Sequence, residues 1–332
     1  LVVLNYNGRE VILDCLQSLF DSDYEPFEVI LVDNNSSDGS AKLAKNRFPD
    51  IRLITLKRNL GFSIGNNLGI YNSVGDFIIL LNYDTCMEKT CIRKLIEVAK
   101  KQKAAFYQPK ILLYDNVKLL NSAGNMITFG GFTVMRGINE PETLYQNVDC
   151  VGYASGACVM FPRKTIEKVG YLDPIYFAYK EDLDWGWRAR LMGLRSLFVP
   201  SAVIYHRWGS SSNLPRKIFF SERNRIITLL KNYSKRTLIL LFPYLLLIEI
   251  STICFCISRG LLHKKIRAYS DILKLKSYIR KKRLLIQKKR KKSDRFVTSL
   301  FVSNFSHPFL SQANEKINKI LENFGDLFSH FI

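Results

Sequence analysis

Through its N-terminal third the chain alternates short unbroken apolar runs with stretches that are apolar at every third or fourth position. Leu1–Leu4, Phe27–Val32, Ile51–Thr55 and Phe77–Leu81 form the runs, and Glu10–Phe20, Ser40–Arg47 and Ser63–Ser73 carry the helical spacing. Runs without polar alternation predict strands buried on both faces, and the helices between them predict the crossovers of a parallel sheet. Right-handed crossovers place the loops after the strands along one edge, where α/β proteins bind their ligands. The polar clusters fall there: Asn5-Tyr6-Asn7-Gly8, Asp33 to Ser40, and Asn82-Tyr83-Asp84. A strand-end edge so rich in amides and carboxylates predicts an active site.

Residues 104–150 are less regular, with turn signals at Asp115-Asn116 and Gly130-Gly131. A second organised block begins at Gly152. It holds a small-residue loop, a strand over Ala157–Phe161, helices over Lys164–Val169 and Glu181–Met192, and a strand over Leu197–Val199 that leads to Ile204-Tyr205-His206. Beyond about Arg216 the composition changes. Thr237–Ile257 is almost wholly apolar, interrupted by Pro243 and Glu249 and bracketed by basic residues on both sides. A basic run from Arg280 to Lys292 follows, and Ile317, Ile320, Leu321, Phe324 and Phe328 sit at the spacing of an amphipathic helix.

The 332 residues suffice for one large α/β domain with a substantial appendage, and a hydrophobic content of 47% excludes wholesale disorder. A formal net charge of +20 points to an anionic partner, and the excess lies mostly after Arg207. Nucleic acid is disfavoured, because the basic residues alternate with Leu and Ile and no nucleic-acid-binding module is present. Thr237–Ile257 has the length to span a bilayer. Its Pro243, its Glu249 and the basic charge on both flanks favour instead a segment lying in an anionic membrane interface. The seven cysteines form no CxxC pair and several sit in apolar runs, so reduced, buried thiols and a cytosolic compartment are expected.

Asp33 directly follows a buried strand, where a carboxylate can accept from a pyrimidine N3–H or from ribose hydroxyls. The same cluster also suits a plain turn, with Ser40 as N-cap of the next helix and Asp38 in a capping role. Arg58 precedes the third helix and can reach a base or a diphosphate, with Asn66 and Asn67 behind it; a solvated polar face is the alternative. Asp84 ends a strand and suits either a divalent cation or a turn. Glu181, Asp182 and Asp184 open a helix, a place where the helix dipole alone favours acids. Trp185 and Trp187 stand two apart and face different sides of that helix, one toward the core and the other available to a sugar ring.

In order along the chain, LVVLNYNG, VDNNSSDGS, RNLGFSIGNN, LLNYDT, YASGACVMFPR, YKEDLDWGWRARLMG and AVIYHRWG resemble the glycosyltransferase family 2 enzymes, especially their rhamnosyltransferase-like group. The resemblance covers roughly residues 1–235. It implies an α/β GT-A fold (a Rossmann-like, mainly parallel sheet flanked by helices), an inverting mechanism, and Mg2+ or Mn2+ as cofactor. On that basis Asp182 is the catalytic base with Glu181 in support, and Asp84 and His206 are the metal ligands. Asn82 stands where the family's Asp-x-Asp motif has its first acid, which leaves Asp84 as the principal carboxylate. Asn5, Asn7, Asp33, Asn35, Arg58, Gly61, Asn66, Asn67 and Asn82 would form the nucleotide-sugar site. Gly156, Trp185 and Trp187 would form the acceptor side.

The expected organisation is a GT-A domain over residues 1–235, followed by a basic, helical, membrane-associating region over residues 236–332. The GT-A domain divides into a nucleotide-sugar half (1–103) and an acceptor half (104–235). The expected partners are a dTDP-, UDP- or GDP-sugar donor, a glycan or lipid-linked acceptor, and an anionic membrane surface, with no nucleic acid. A rhamnosyl donor follows from the resemblance alone. The expected place is the cytoplasmic face of the cell membrane, peripheral or partly embedded. A sugar nucleotidyltransferase would need a Gly-rich triphosphate loop near the N-terminus, which LVVLNYNG lacks. A catalytically silent sugar- or lipid-binding scaffold is opposed by the presence of Asp84, Asp182 and His206.

Overall fold

The computed structural model of the protein describes residues 1–207, 214–303 and 323. Trp208, Gly209 and, Asn323 apart, the segment from Ile317 to Phe328 predicted as an amphipathic helix lie outside the described residues. In chain order the elements are β1 (Val2–Asn5), α1 (Ile12–Phe20), β2 (Ile30–Asp33), α2 (Ser40–Arg47), β3 (Arg52–Thr55), α3 (Gly61–Asn72), β4 (Phe77–Asn82), β5 (Thr85–Met87) and α4 (Cys91–Lys101). There follow β6 (Phe106–Leu113), β7 (Leu120–Ser122), β8 (Asn125–Thr128), β9 (Thr133–Met135), β10 (Asp149–Val151), β11 (Cys158–Pro162), α5 (Lys164–Val169), α6 (Glu181–Leu191) and β12 (Ser196–His206). The remainder is α7 (Leu214–Asn232), α8 (Lys235–Leu240), α9 (Phe242–Ser258), α10 (Leu262–Lys274), α11 (Lys276–Lys289), α12 (Asp294–Thr298) and β13 (Phe301–Val302).

Two compact units share these elements. The first comprises Leu1–Asn125, Met135–Gly186 and Arg195–Ser211, and the second Met126–Val134, Trp187–Leu194 and Ser212–Ile332. The second unit thus takes in α7 and begins before the expected boundary at residue 236.

The first unit is built on a ten-stranded sheet in the order β10-β12-β6-β11-β4-β1-β2-β3, with β5 on β12 and β7 on β6. The runs of β1, β2 and β4 become its centre, with all four residues of β1 and of β2 buried, whereas the Ile51–Thr55 run forms the edge strand β3, whose residues are exposed or half-buried. Parallel register sets Asn5 beside Asp33 and Leu4 beside Asn82, so three polar strand ends meet at one edge. The sheet is more mixed than the apolar runs predicted. β11 runs antiparallel to β4 and β6, and β5, β7 and β10 are also antiparallel to their neighbours. An apolar run reports burial, not direction.

Helix starts also differ in detail. Gly39, at φ 79°, is the N-cap of α2, and Ser40 is its first helical residue rather than the cap. Asp38 has the capping role instead, accepting from the Ser40 N–H at 2.9 Å. Leu197–Val199 and Ile204–His206 join as one strand, β12, whose register against β6 shifts between Val199 and Val203. Pro200 lies in that shift, where a residue without an N–H does not break the ladder. All seven cysteines are free.

The second unit is mainly helical, with α7 packed on α10 and α11. Among the described residues no helix is long and apolar enough to cross a membrane. The most apolar one, α9, has 17 residues, which rise about 25 Å against a hydrocarbon thickness of about 30 Å.

Candidate active site

The loops after β1 and β2 lock together through side chains. Asn5 Nδ2 lies 3.0 Å from Asp33 Oδ1, 3.1 Å from Ser36 Oγ and 2.8 Å from Ser40 Oγ. The Ser36 hydroxyl donates to Asp33 Oδ1 at 2.5 Å and its N–H to Oδ2 at 3.1 Å. Asn7 accepts from the Ser37 N–H at 2.9 Å through its side-chain oxygen. Asn7 and Asn35 have φ of 54° and 65°, a left-handed backbone that asparagine tolerates better than most residues. Asp33 is thus buried and holds the turn, with acceptor capacity left at Oδ2. Ser36, which the sequence did not single out as a site residue, is the hinge of this network. A serine between two asparagines and an aspartate carries no signal beyond turn chemistry.

Further along the edge the expected donor residues separate. Asn67 is committed to the backbone of Leu172, donating to its carbonyl at 2.8 Å and accepting from its N–H at 3.1 Å. Asn66 folds its amide back on the Phe62 carbonyl at 3.1 Å. Both therefore act first as structural clamps, while Arg58 is exposed on the loop before α3. Asn34, not anticipated, ties β2 to α3 by accepting from the Leu60 N–H at 2.8 Å and donating to the Gly61 carbonyl at 3.3 Å. Gly61 itself has φ 82°, and a Cβ there would stand 2.4 Å from the Phe177 carbonyl oxygen. Only glycine admits that approach.

Glu181 and Asp182 open α6. Directly before them Tyr179 and Lys180 have φ of 68° and 74°, two consecutive strained residues of the kind that cluster at functional sites. Asp182 Oδ2 accepts from the Gly156 N–H at 3.0 Å and Oδ1 from the Leu183 N–H at 2.8 Å. A Cβ at Gly156 would come within 3.1 Å of the Phe62 ring, so the glycine keeps this approach open. Asp182 lines a pocket with Phe62, Leu80, Gly156, Leu172 and Trp185. Glu181 is buried, and its Oε2 has no hydrogen-bond partner among the described residues. Burial, reinforced by the Asp182 charge, pushes the Glu181 carboxyl well above its ordinary range. Burial also raises Asp182, against the opposing pull of the Gly156 and Leu183 N–H groups. The two titrate as a pair.

The tryptophans need a correction. Trp185 is almost fully buried, donates from Nε1 to the Gly170 carbonyl at 2.8 Å, and packs on Phe106 and Phe161 at the pocket wall. Trp187 belongs to the second unit and is fully buried against Tyr233 and Phe301. It has no ring face for a sugar, because both sides of the helix are covered at this point.

Asp84 lies in the tight turn between β4 and β5. The β5–β12 pairing sets His206 beside Thr85 and so delivers the imidazole to Asp84, with Nε2 3.5 Å from Oδ1. The other ring nitrogen, Nδ1, is 3.0 Å from Asn121 Oδ1. An amide oxygen only accepts, so this contact is a hydrogen bond donated from Nδ1, and it orients the ring with Nε2 toward Asp84. Asn82 is only half-buried, and its backbone carbonyl accepts from the Thr85 hydroxyl at 2.6 Å to close the turn. No cluster of three or more metal-ligating side chains exists among the described residues. A carboxylate and an imidazole fit a divalent cation that draws its other ligands from phosphate oxygens and water.

Comparison with known proteins gives the family of the chain. Residues 1–170 match the family model of glycosyl transferase family 2. The N-acetylglucosaminyl-diphospho-decaprenol L-rhamnosyltransferase of Mycobacterium tuberculosis is 28% identical over 234 residues, which is 64% of this chain and 76% of that protein. The low-salt glycan biosynthesis hexosyltransferase of Haloferax volcanii is 27% identical over 57% of this chain and 61% of its own length. Among solved structures, GalNAc-T7 with UDP, GalNAc and Mn2+ has a TM-score of 0.59 at 14% identity, covering 74% of this chain and 49% of that one. S. aureus TarS 1–349 in complex with UDP-GlcNAc has a TM-score of 0.56 at 16% identity, covering 99% and 90%. These likenesses show a mixed α/β fold whose central sheet resembles GT-A structures. With the family match spanning half the chain and taking in the strand-end loops at Asn5, Asp33 and Asp84, the protein belongs to glycosyltransferase family 2, in its rhamnosyltransferase-like group.

Proposed function

We infer that the protein transfers one sugar from a nucleoside-diphosphate donor to an acceptor hydroxyl with inversion at the anomeric carbon. The observation that carries this is Asp182: a pocket-lining carboxylate fixed by two backbone N–H groups and raised above its ordinary range by burial. Asp182 takes the proton of the acceptor hydroxyl as that oxygen bonds to the anomeric carbon and the bond to the diphosphate oxygen breaks. The nucleoside diphosphate leaves from the opposite face, and no covalent enzyme intermediate forms. Glu181, raised further by its own burial and by the Asp182 charge, holds the proton of the pair and leaves Asp182 as the base. Asp84 and His206 would hold Mg2+ or Mn2+, which when bound neutralises the charge that builds on the departing diphosphate. The Asn5–Asp33–Ser36 loop receives the nucleoside.

A rhamnosyl donor and a lipid-linked glycan acceptor are supported by the similarity to the mycobacterial L-rhamnosyltransferase. The donor test is thermal stabilisation of the full chain by dTDP, UDP and GDP, each with and without Mn2+. The expected result is a rise in melting temperature for one nucleotide, larger with metal. No shift with any of the three would remove the donor site.

Asn121 is expected to act through His206. Asn121→Ala removes the amide that orients the ring, and Mn2+ affinity in the presence of nucleotide should fall by about 10–100-fold. Titration followed by Mn2+ electron paramagnetic resonance reads this without turnover. Unchanged affinity would leave Asn121 as a packing residue only.

A further inference from the structure

We propose that the outward face of α8 and α9 docks on an anionic lipid bilayer, lying in the interface rather than crossing it. This rests on the second unit alone and is independent of the transfer chemistry. Phe242, Leu246, Ile250 and Ile257 recur along α9 at intervals of four, four and seven residues, the spacing of one helix face, and Ile239 of α8 precedes them by three. In that order they are exposed by 63%, 47%, 51%, 57% and 74%. The opposite side of α9, formed by Tyr244, Ile248, Thr252 and Cys256, is buried. A helix apolar all round, with one side packed and the other open, has an unfilled apolar surface in water.

The one acid of this helix does not interrupt that surface. Glu249 reaches inward to the buried Arg225, to Lys265 at 2.9 Å and to the Tyr269 hydroxyl at 2.5 Å. The other three acids between residues 214 and 303 are held in the same way. Glu222 pairs with Arg225 at 2.9 Å and with Lys265, Asp271 with Arg223 at 2.9 Å, and Asp294 with Arg290 at 2.8 Å. Against these four acids the same stretch carries 23 lysine and arginine residues. Lys235 and Arg236 stand exposed at the start of the apolar stripe and Arg259 at its end.

The charge pattern selects the occupant. An apolar stripe with basic ends complements acyl chains below anionic headgroups, where each nearby Lys or Arg adds to binding. A second copy of the chain would set like charges against one another at Lys235, Arg236 and Arg259. The length of α9 suits lying on the bilayer better than spanning it.

The test is sedimentation of the full chain with vesicles of phosphatidylcholine alone and with about 30% phosphatidylglycerol added. Binding is expected to the anionic vesicles and to weaken with salt. The double variant Phe242→Ser/Ile250→Ser should lower it by at least about tenfold, as the loss of two buried apolar side chains requires. Both positions are exposed, so circular dichroism and the melting temperature should not change. Equal binding by the variant, or no binding by the wild-type chain, would overturn the proposal. So would a wild-type dimer that the double variant dissolves, which would assign the face to a second copy.

Discussion

Substituting Asp182→Asn is expected to lower turnover by about 10²–10⁴-fold, the range for losing a positioned general base, while nucleotide-dependent stabilisation persists. The carboxylate accepts from two backbone N–H groups, one on each oxygen, and an amide can satisfy only one of them. A melting curve of the variant therefore has to accompany the rate. A folded variant with full activity would end the base assignment. The pH profile supplies a second check. Burial raises both Glu181 and Asp182, so the acid limb of kcat/KM should lie above the ordinary carboxylate range. Glu181→Gln should leave that limb in place, because burial of Asp182 and not the Glu181 charge causes its shift. The stability effect has a definite sign too. Both folded-state pKa values exceed the unfolded ones, so the pair opposes folding above them, and the opposition is relieved as pH falls from the folded values to the ordinary carboxylate range.

Arg225→Met is expected to destabilise the helical unit by about 3–5 kcal/mol, the cost of stripping one partner from a buried ion cluster. Arg225 is 1% exposed and contacts both Glu222 and Glu249. Lys265 alone would then have to compensate two carboxylates. Burial by itself would raise Glu222, but the charges of Arg225 and Lys265 outweigh it and hold the group far below its usual range. A depressed folded-state pKa stabilises above the unfolded value and is lost as pH falls through the acid range. Acid should therefore weaken this unit in the wild-type chain, and less so in the variant. Urea denaturation at pH 7 and pH 4 measures both effects. An unchanged midpoint at pH 7 would mean that solvent already reaches the cluster.

Much of the first unit was legible because local and global signals coincide there. α2 and α5 have the predicted bounds, and β1 to β4 follow the apolar runs within a few residues. Polar strand ends sat where the crossover rule puts them. What could not be read was pairing. Nothing in an apolar run tells that β11 opposes β4, or that β5 brings Thr85 against His206. Nor does residue type tell how an amide is spent: Asn66 and Asn67 resemble Asn5 in sequence, yet they grip backbone carbonyls at α3 and Leu172. The position of Glu249 was legible as an interruption of an apolar run, but its meaning came from Arg225 and Lys265, distant residues that share its face. Trp187 was misplaced for the same reason, since helical periodicity separates the two sides of α6 without saying that both are covered.

The irregularity in β12 carries a consequence for sequence change over time. Side chains alternate across a strand, so a shift of one residue turns every later side chain to the other face. The bulge between Val199 and Val203 therefore fixes the phase in which His206 arrives beside Asp84. Substitutions within 200–202 can be absorbed where packing allows. A single insertion or deletion there cannot, because it would reverse the imidazole while leaving the sheet intact. The length of that stretch is thus constrained more tightly than its composition, and a lineage that altered it would have to abandon the Asp84–His206 pairing or restore the count elsewhere in the strand.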